Sequence, residues 1–226
     1  MRTYYIVIGL FTEGSTDIRF LESVVKRTFE EIAFHCKGEI DIDICPVKIN
    51  KTGLTFIEQI EQVSGIGCRE LGTTIMCIHA DADDSTDMNT FNNKIIPAQV
   101  HLNTLNENDH CKIMAPIVPI YMTESWMLAD TPLLKRHLGT TLPDNELNIH
   151  KHPETIVNPK RVIEDAIRIS REHIGKRHRK DLQIKDLYLP LGQQIELSKL
   201  QCLRSYQKFR DSAVKSFQAA GIYLTD

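Results

Sequence analysis

Residues 73–84 read Thr-Thr-Ile-Met-Cys-Ile-His-Ala-Asp-Ala-Asp-Asp, and the run changes character halfway. Its first part is β-branched or apolar at every position, the pattern of a strand covered on both faces in the middle of a parallel sheet. It then breaks into acid. Open α/β sheets bind ligands outside the carboxyl ends of their strands, so the break falls where such a fold places its chemistry. Alternate residues of an extended chain share a face, which predicts that Asp81 and Asp83 point the same way. Two carboxylates that close repel unless a cation lies between them, and no Lys or Arg stands beside them in sequence. A hard divalent ion, Mg²⁺ or Mn²⁺, is the expected counter-charge. Asp84, Ser85 and Asp87 have a simpler reading as residues that cap the next helix.

The rest of the chain reads as alternating strands and helices. Residues 4–11 form a first buried strand that ends in Glu13-Gly14, where glycine permits a sharp turn or a close approach to a ligand. Ser15, Thr16 and Asp17 then open a helix whose apolar period runs through Phe20, Leu21, Val24, Val25, Phe29 and Ile32. Residues 40–49 alternate like a half-exposed strand, with Asp41 and Asp43 facing water. Residues 53–70 have helical spacing and lead into the acid-ended strand. Strand, helix, strand, helix, strand in this order argues for a parallel α/β sheet. A further helix is expected over 86–105, kinked or interrupted by Pro97, followed by a strand over 112–122 whose two prolines suggest an irregular or edge position. A third acid, Glu124, lies just beyond that strand. After residue 130 the pattern becomes loops, a short helix near 133–138, a helix from Pro159, an apolar turn around Pro190 and a closing helix over 196–220. The expected division is an α/β core over 1–130 and a mostly helical elaboration over 131–226 packed on it.

Charge and cysteine usage narrow the function classes. The 226-residue chain has a formal net charge of −3, so any nucleic-acid surface must be local. The basic run Lys176-Arg177-His178-Arg179-Lys180 could hold phosphates or could be a solvated helix end. Six scattered cysteines form no Cys-x-x-Cys pair, and the nine histidines form no zinc pattern. No apolar run approaches the length of a membrane span, and Met1 leads straight into strand-like sequence, so a cytoplasmic protein without membrane contact is expected. Trp126 reads as a core residue.

If the sheet is parallel, Glu13 and the pair Asp81 and Asp83 leave it from one edge. A cation held there would suit metal-assisted phosphoryl chemistry, which needs mainly positioning and charge neutralisation. Strand-Glu13-Gly14 followed by strand-x-Asp81-x-Asp83 resembles the Toprim domain, the metal-binding fold of topoisomerases, primases and OLD-family nucleases. The opening Phe11-Thr-Glu-Gly-Ser-Thr-Asp-Ile-Arg-Phe-Leu and the later Thr123-Glu-Ser-Trp-Met-Leu-Ala-Asp130 are similar to a bacterial Toprim-like family of about this length, DUF4276. That resemblance implies a Toprim-like, Rossmann-like core and the nuclease half of a split OLD-like defence system. It implies Glu13, Asp81 and Asp83 as catalytic groups and metal ligands, and Glu124 as an additional acid at the metal. Gly14 and the basic residues Lys176, Arg177, Arg179 and Lys180 are the expected phosphate contacts. Nucleic acid, an ABC- or OLD-type ATPase and a second copy of the chain are the expected partners. One departure stands in the sequence: many Toprim chains carry a glycine two or three residues after the second Asp, and here Asp84-Ser85-Thr86 follow.

Other readings fit parts of the pattern. A haloacid-dehalogenase-like phosphatase also uses Asp-x-Asp after a strand, with a hydroxyl residue two beyond, where Ser85 stands; Glu13-Gly14 would then have no role. A glycosyltransferase holding a nucleotide-sugar metal would use the acids alone. The alternative from another class is a Toprim-shaped subunit of weak activity that binds and regulates an ATPase or nucleic-acid partner.

Overall fold

The computed structural model describes residues 3–172 and 181–223, which leaves the basic run 176–180 outside the described residues. Four strands form one sheet: β1 (Thr3–Phe11), β2 (Glu39–Pro46), β3 (Ile75–His79) and β4 (Met114–Ile117). They are parallel throughout, in the order β2-β1-β3-β4. Helices cover both faces, so the chain is α/β and Rossmann-like, as its pattern predicts. In chain order they are α1 (Asp17–Phe34), α2 (Phe56–Ile66), α3 (Met88–Thr90), α4 (Ile96–Thr104), α5 (Glu124–Met127) and α6 (Thr131–Leu138). α7 (Pro159–Ser170), α8 (Tyr188–Gln194), α9 (Leu197–Leu200) and α10 (Arg204–Ala219) follow.

The strand period of two divides the core. Ile8, Leu10, Ile75 and Cys77 turn to one face, where they join Phe20 and Phe29 of α1 and Tyr206, Phe209 and Phe217 of α10. Phe11, Met76 and Ile78 turn to the other and join Ile60 and Val63 of α2 and Ala98 and Leu102 of α4. The chain steps from β1 outward to β2 and returns to the opposite side for β3, so the order reverses between β1 and β3. Such a switch point opens a crevice at the carboxyl ends of the two strands. Register fixes what stands there: Phe11 lies opposite Ile78, so Glu13 leaves β1 level with Ala80 and Asp81.

The helices beyond residue 130 complete the first face. α8 packs on α1 and α10 on β4, and Trp126, fully buried, donates its indole N–H to Ser205 of α10 at 2.8 Å. α8 approaches α1 closely at Gly192. A Cβ there would lie 2.5 Å from the Phe20 carbonyl oxygen and 2.7 Å from its Cα. Arg27 of α1 fastens the end of α8 by donating to the carbonyls of Gly192 and Ile195, each at 2.6 Å.

Three local expectations change. Pro97 does not break its helix, because a π turn over Phe91–Ile95 shifts the hydrogen-bond register and Pro97 falls in the first turn of α4, where its missing N–H has no partner to lose. The stretch around Pro190 is the helix α8 rather than a turn, with the proline again near a helix start. The closing helix is interrupted at 201–203. α10 starts afresh where the Glu154 carboxylate accepts the N–H groups of Arg204 at 3.0 Å and Ser205 at 2.8 Å, a cap delivered from a remote loop.

Gly192→Ala is expected to push α8 off α1 and lower stability by about 1–3 kcal/mol, since the opposing atoms are backbone and cannot swing away. Urea unfolding of the two proteins checks this, and an unchanged midpoint would show that the approach is not tight.

Candidate metal centre

The crevice between β1 and β3 collects acids from three loops. Glu13 accepts the Asp81 N–H on Oε2 at 3.2 Å, which ties the end of β1 to the end of β3. Asp17, the first residue of α1, folds back so that Oδ2 accepts the Gly14 N–H at 3.0 Å. A Cβ on residue 14 would stand 2.3 Å from that oxygen, so glycine is required for the carboxylate to approach. The Gly14 N–H, expected at a phosphate, is engaged inside the loop.

His79 organises the centre. It is fully buried at the end of β3, and its Nδ1 accepts the Glu13 N–H at 3.3 Å. The ring proton therefore sits on Nε2, which faces Asp81 Oδ1 and Thr123 Oγ1, both at 3.1 Å. Asp81 Oδ1 also accepts the Thr123 N–H at 3.0 Å. Asp81 is thus oriented through one oxygen, while the other accepts no hydrogen bond from a described residue. Burial acts to lower the His79 pKa, and the hydrogen bond and charge of Asp81, with the charges of Asp17 and Glu13, drive it upward overall. A second proton would have to sit on Nδ1 against the Glu13 N–H, so this geometry holds the neutral Nε2–H form.

Asp17, His79 and Asp81 each offer one ligand atom within 4.8 Å of the other two. The two carboxylates fit a hard cation well. The imidazole, with both nitrogens committed, fits better as the group that aims Asp81.

Asp83 departs from simple alternation. β3 ends at His79, and Asp83 adopts a φ of 53°, so the extended spacing that would align it with Asp81 stops before it is reached. Its N–H donates to the Tyr121 carbonyl at 2.9 Å, and Tyr121, itself at φ 59°, donates to the Asp84 carbonyl at 3.1 Å. Two left-handed residues clasp the β3 and β4 loops. Aspartate tolerates that conformation, whereas tyrosine there stores strain, which concentrates at functional sites. The left-handed turn falls on Asp83 itself rather than on a following glycine. Its carboxylate remains near the others: burial, then the charges of Asp81 and Glu13, raise its pKa.

Glu124 opens α5 and is 4% exposed. Its Oε1 accepts the hydroxyl of Tyr188, the first residue of α8, at 2.5 Å. Burial first, then Asp17 and Asp81, raise its pKa against that hydrogen bond. Asp17 is raised by burial and by Asp81. Against five linked carboxylates stand two lysines among the described residues. Lys94 lies 3.5 Å from Glu13 Oε2, and Lys51 donates to the carbonyls of Thr12 at 2.7 Å and Glu13 at 2.6 Å.

The three expected acids Glu13, Asp81 and Asp83 and the additional Glu124 therefore share one neighbourhood, while Lys176, Arg177, Arg179 and Lys180 lie outside the described residues. Asp17, His79, Thr123 and Tyr188 join the centre without having been expected there. For His79 a signal existed, the i, i+2 spacing to Asp81 across the strand end. For Tyr188, 64 residues from Glu124, none did. No family model, curated protein or solved structure matches the chain.

The raised carboxylates set the pH dependence of the metal-free protein. A folded pKa above the unfolded one contributes stability that is present in full below the unfolded value and is lost as pH rises through the folded one. Asp17→Asn, which keeps an acceptor for Gly14, is expected to raise the metal-free melting temperature above wild type at pH 8 and to leave it unchanged near pH 3. Thermal melts in EDTA across that range check it; a pH-independent difference would mean that charge repulsion is not the cause.

Proposed function

We propose that the protein is a divalent-cation-dependent phosphodiesterase acting on nucleic acid. The observation that carries this reading is the crevice at the switch point of a parallel sheet, where Glu13, Asp17, Asp81, Asp83 and Glu124 gather and, among the described residues, face only the lysines Lys51 and Lys94. The Toprim resemblance of Glu13-Gly14 and Asp81-x-Asp83 supports it from the sequence side. That the cut serves anti-phage defence beside a partner ATPase is what the likeness to split OLD-type systems adds.

Asp81, through its second oxygen, and Asp17 are the groups that would hold Mg²⁺ or Mn²⁺, with Glu13 and Asp83 beside them. A bound cation would polarise the phosphodiester and neutralise charge on its equatorial oxygens. His79 and Thr123 keep Asp81 in one orientation, so less order has to be gained when substrate arrives. Lys94, beside Glu13 at the crevice, offsets negative charge and so reduces repulsion of a polyanion. Glu124, its pKa raised by burial and held by Tyr188, is suited to keep a proton longer than an ordinary carboxyl and pass it to a leaving oxygen. The phosphatase alternative draws less support, because Ser85 Oγ donates to Asp84 at 3.1 Å within its own turn.

Single-stranded DNA, plasmid and tRNA incubated with Mg²⁺, Mn²⁺ or EDTA test the proposal. Wild type is expected to cut only with a cation, and Asp81→Asn is expected to lose at least a hundredfold in rate with its fold kept, since removal of one electrostatic group of this kind costs about 10²–10³ in rate. Absence of cutting with either cation would favour the regulatory subunit instead. The same cations are expected to raise the wild-type melting temperature by roughly 5–10 °C at a hundredfold excess over Kd, and not that of Asp81→Asn. No shift in wild type would remove the metal centre.

A further inference from the structure

The loop that carries Glu13 and Asp17 has a second side. Glu13 and Asp17 face the acidic crevice, whereas Thr12, Ser15 and Thr16 line a cavity of about 470 Å³ between that loop and the segment following β2. Three cations border this cavity, Arg19 from α1 with Lys48 and Lys51 from the β2 side, and no acid is among its described lining residues. Arg19 and Lys48 are exposed, and their side chains make no ion pair or hydrogen bond to any described residue. Lys51 spends two of its three N–H groups on the Thr12 and Glu13 carbonyls and keeps one. In a chain of net negative charge, Arg19, Lys48 and Lys51 converge on a concave surface one loop away from the acids.

We propose that this cavity is a nucleotide subsite that takes the unit flanking the scissile phosphate. This rests on the phosphodiesterase reading and deepens it. Arg19, Lys48 and Lys51, with the Ser15 hydroxyl, hold the flanking phosphate, because guanidinium, ammonium and hydroxyl donors are the groups that bind phosphate oxygens. Ile18 and Val47 give the sugar and base an apolar wall. The volume suits one nucleotide, not a duplex, so the substrate class is single-stranded nucleic acid or a frayed end. No amide or carboxylate side chain is among the described residues lining the cavity to read a base edge, so sequence preference is weak. The arrangement also explains how a polyanion can engage a site crowded with carboxylates: attraction on one side of the loop offsets repulsion on the other.

The test is binding of a fluorescein-labelled single-stranded oligonucleotide in EDTA, where no cutting interferes, at 50–200 mM salt. Wild type is expected to bind with an affinity that falls as salt rises. The double variant Arg19→Gln/Lys48→Gln is expected to bind roughly tenfold more weakly at the lowest salt, with the slope of log K against log salt reduced by about 1.4 for two lost contacts. Asp81→Asn is expected to bind at least as well as wild type. Wild-type slope and affinity in the double variant, or no salt-dependent binding by wild type, overturns the subsite. The two proposals fail separately. Loss of binding in the double variant with no cutting under either cation leaves the subsite standing without the phosphodiesterase. Cation-dependent cutting with unimpaired binding by the double variant does the reverse. Neither side chain has a partner among the described residues, so the variant's melting temperature is expected to match wild type and serves as the control for folding.

Discussion

Like charges gathered at the end of a buried sheet are the constraint around which this molecule is built. The register of β1 against β3 brings Glu13 beside Asp81 whatever else happens, and α1 adds Asp17 to the same crevice. Repulsion of this kind is tolerable only if each carboxylate is held by directed hydrogen bonds and the remaining negative potential is left for a counter-ion. His79 does most of the holding. One buried imidazole accepts from the β1 loop and donates toward the β3 loop and Thr123, so three segments are fixed by a single side chain with no charge of its own. Neutral pivots suit such a place, because a permanently charged one would cancel the potential that attracts a cation.

The C-terminal helices belong to this arrangement as much as the sheet does. α8 carries Tyr188 to Glu124, and α10 carries Lys208 to Asp87 at 2.5 Å, where it also stands over the Phe91 ring. Both contacts steady loops that issue from the carboxyl edge of the sheet. The close approach at Gly192 and the Arg27 clamp therefore do more than add apolar contact, since they set where Tyr188 can reach.

What could be read from residue order follows from which forces are local. The parallel sheet, its buried central strands and the irregular edge strand β4 follow from apolar period and from the prolines at 116 and 119. Glu13 and Asp81 were legible because each sits just past a run of strand residues. Asp83 was legible as an acid but not in its direction, because the left-handed turn at its own backbone depends on the clasp with Tyr121, 38 residues away in a different loop. Asp17 looked like a capping residue and is instead a carboxylate folded over Gly14. The restart of α10 on the Glu154 carboxylate and the pairing of Tyr188 with Glu124 are contacts between distant parts of the chain, and periodicity carries no information about them.

The Arg27 clamp also has a bearing on the order in which the molecule comes into being. It joins residues 168 positions apart, and contacts of such separation close late because a long stretch of chain must first surrender its freedom. During synthesis from the N-terminus, the whole sheet and its acids emerge from the ribosome before α8 and α10 exist. Until those helices arrive, Glu124 has no Tyr188 and the Asp87 loop has no Lys208. In a nascent chain the acidic crevice is therefore assembled before its two outer braces, and it matures only once α8 and α10 have docked.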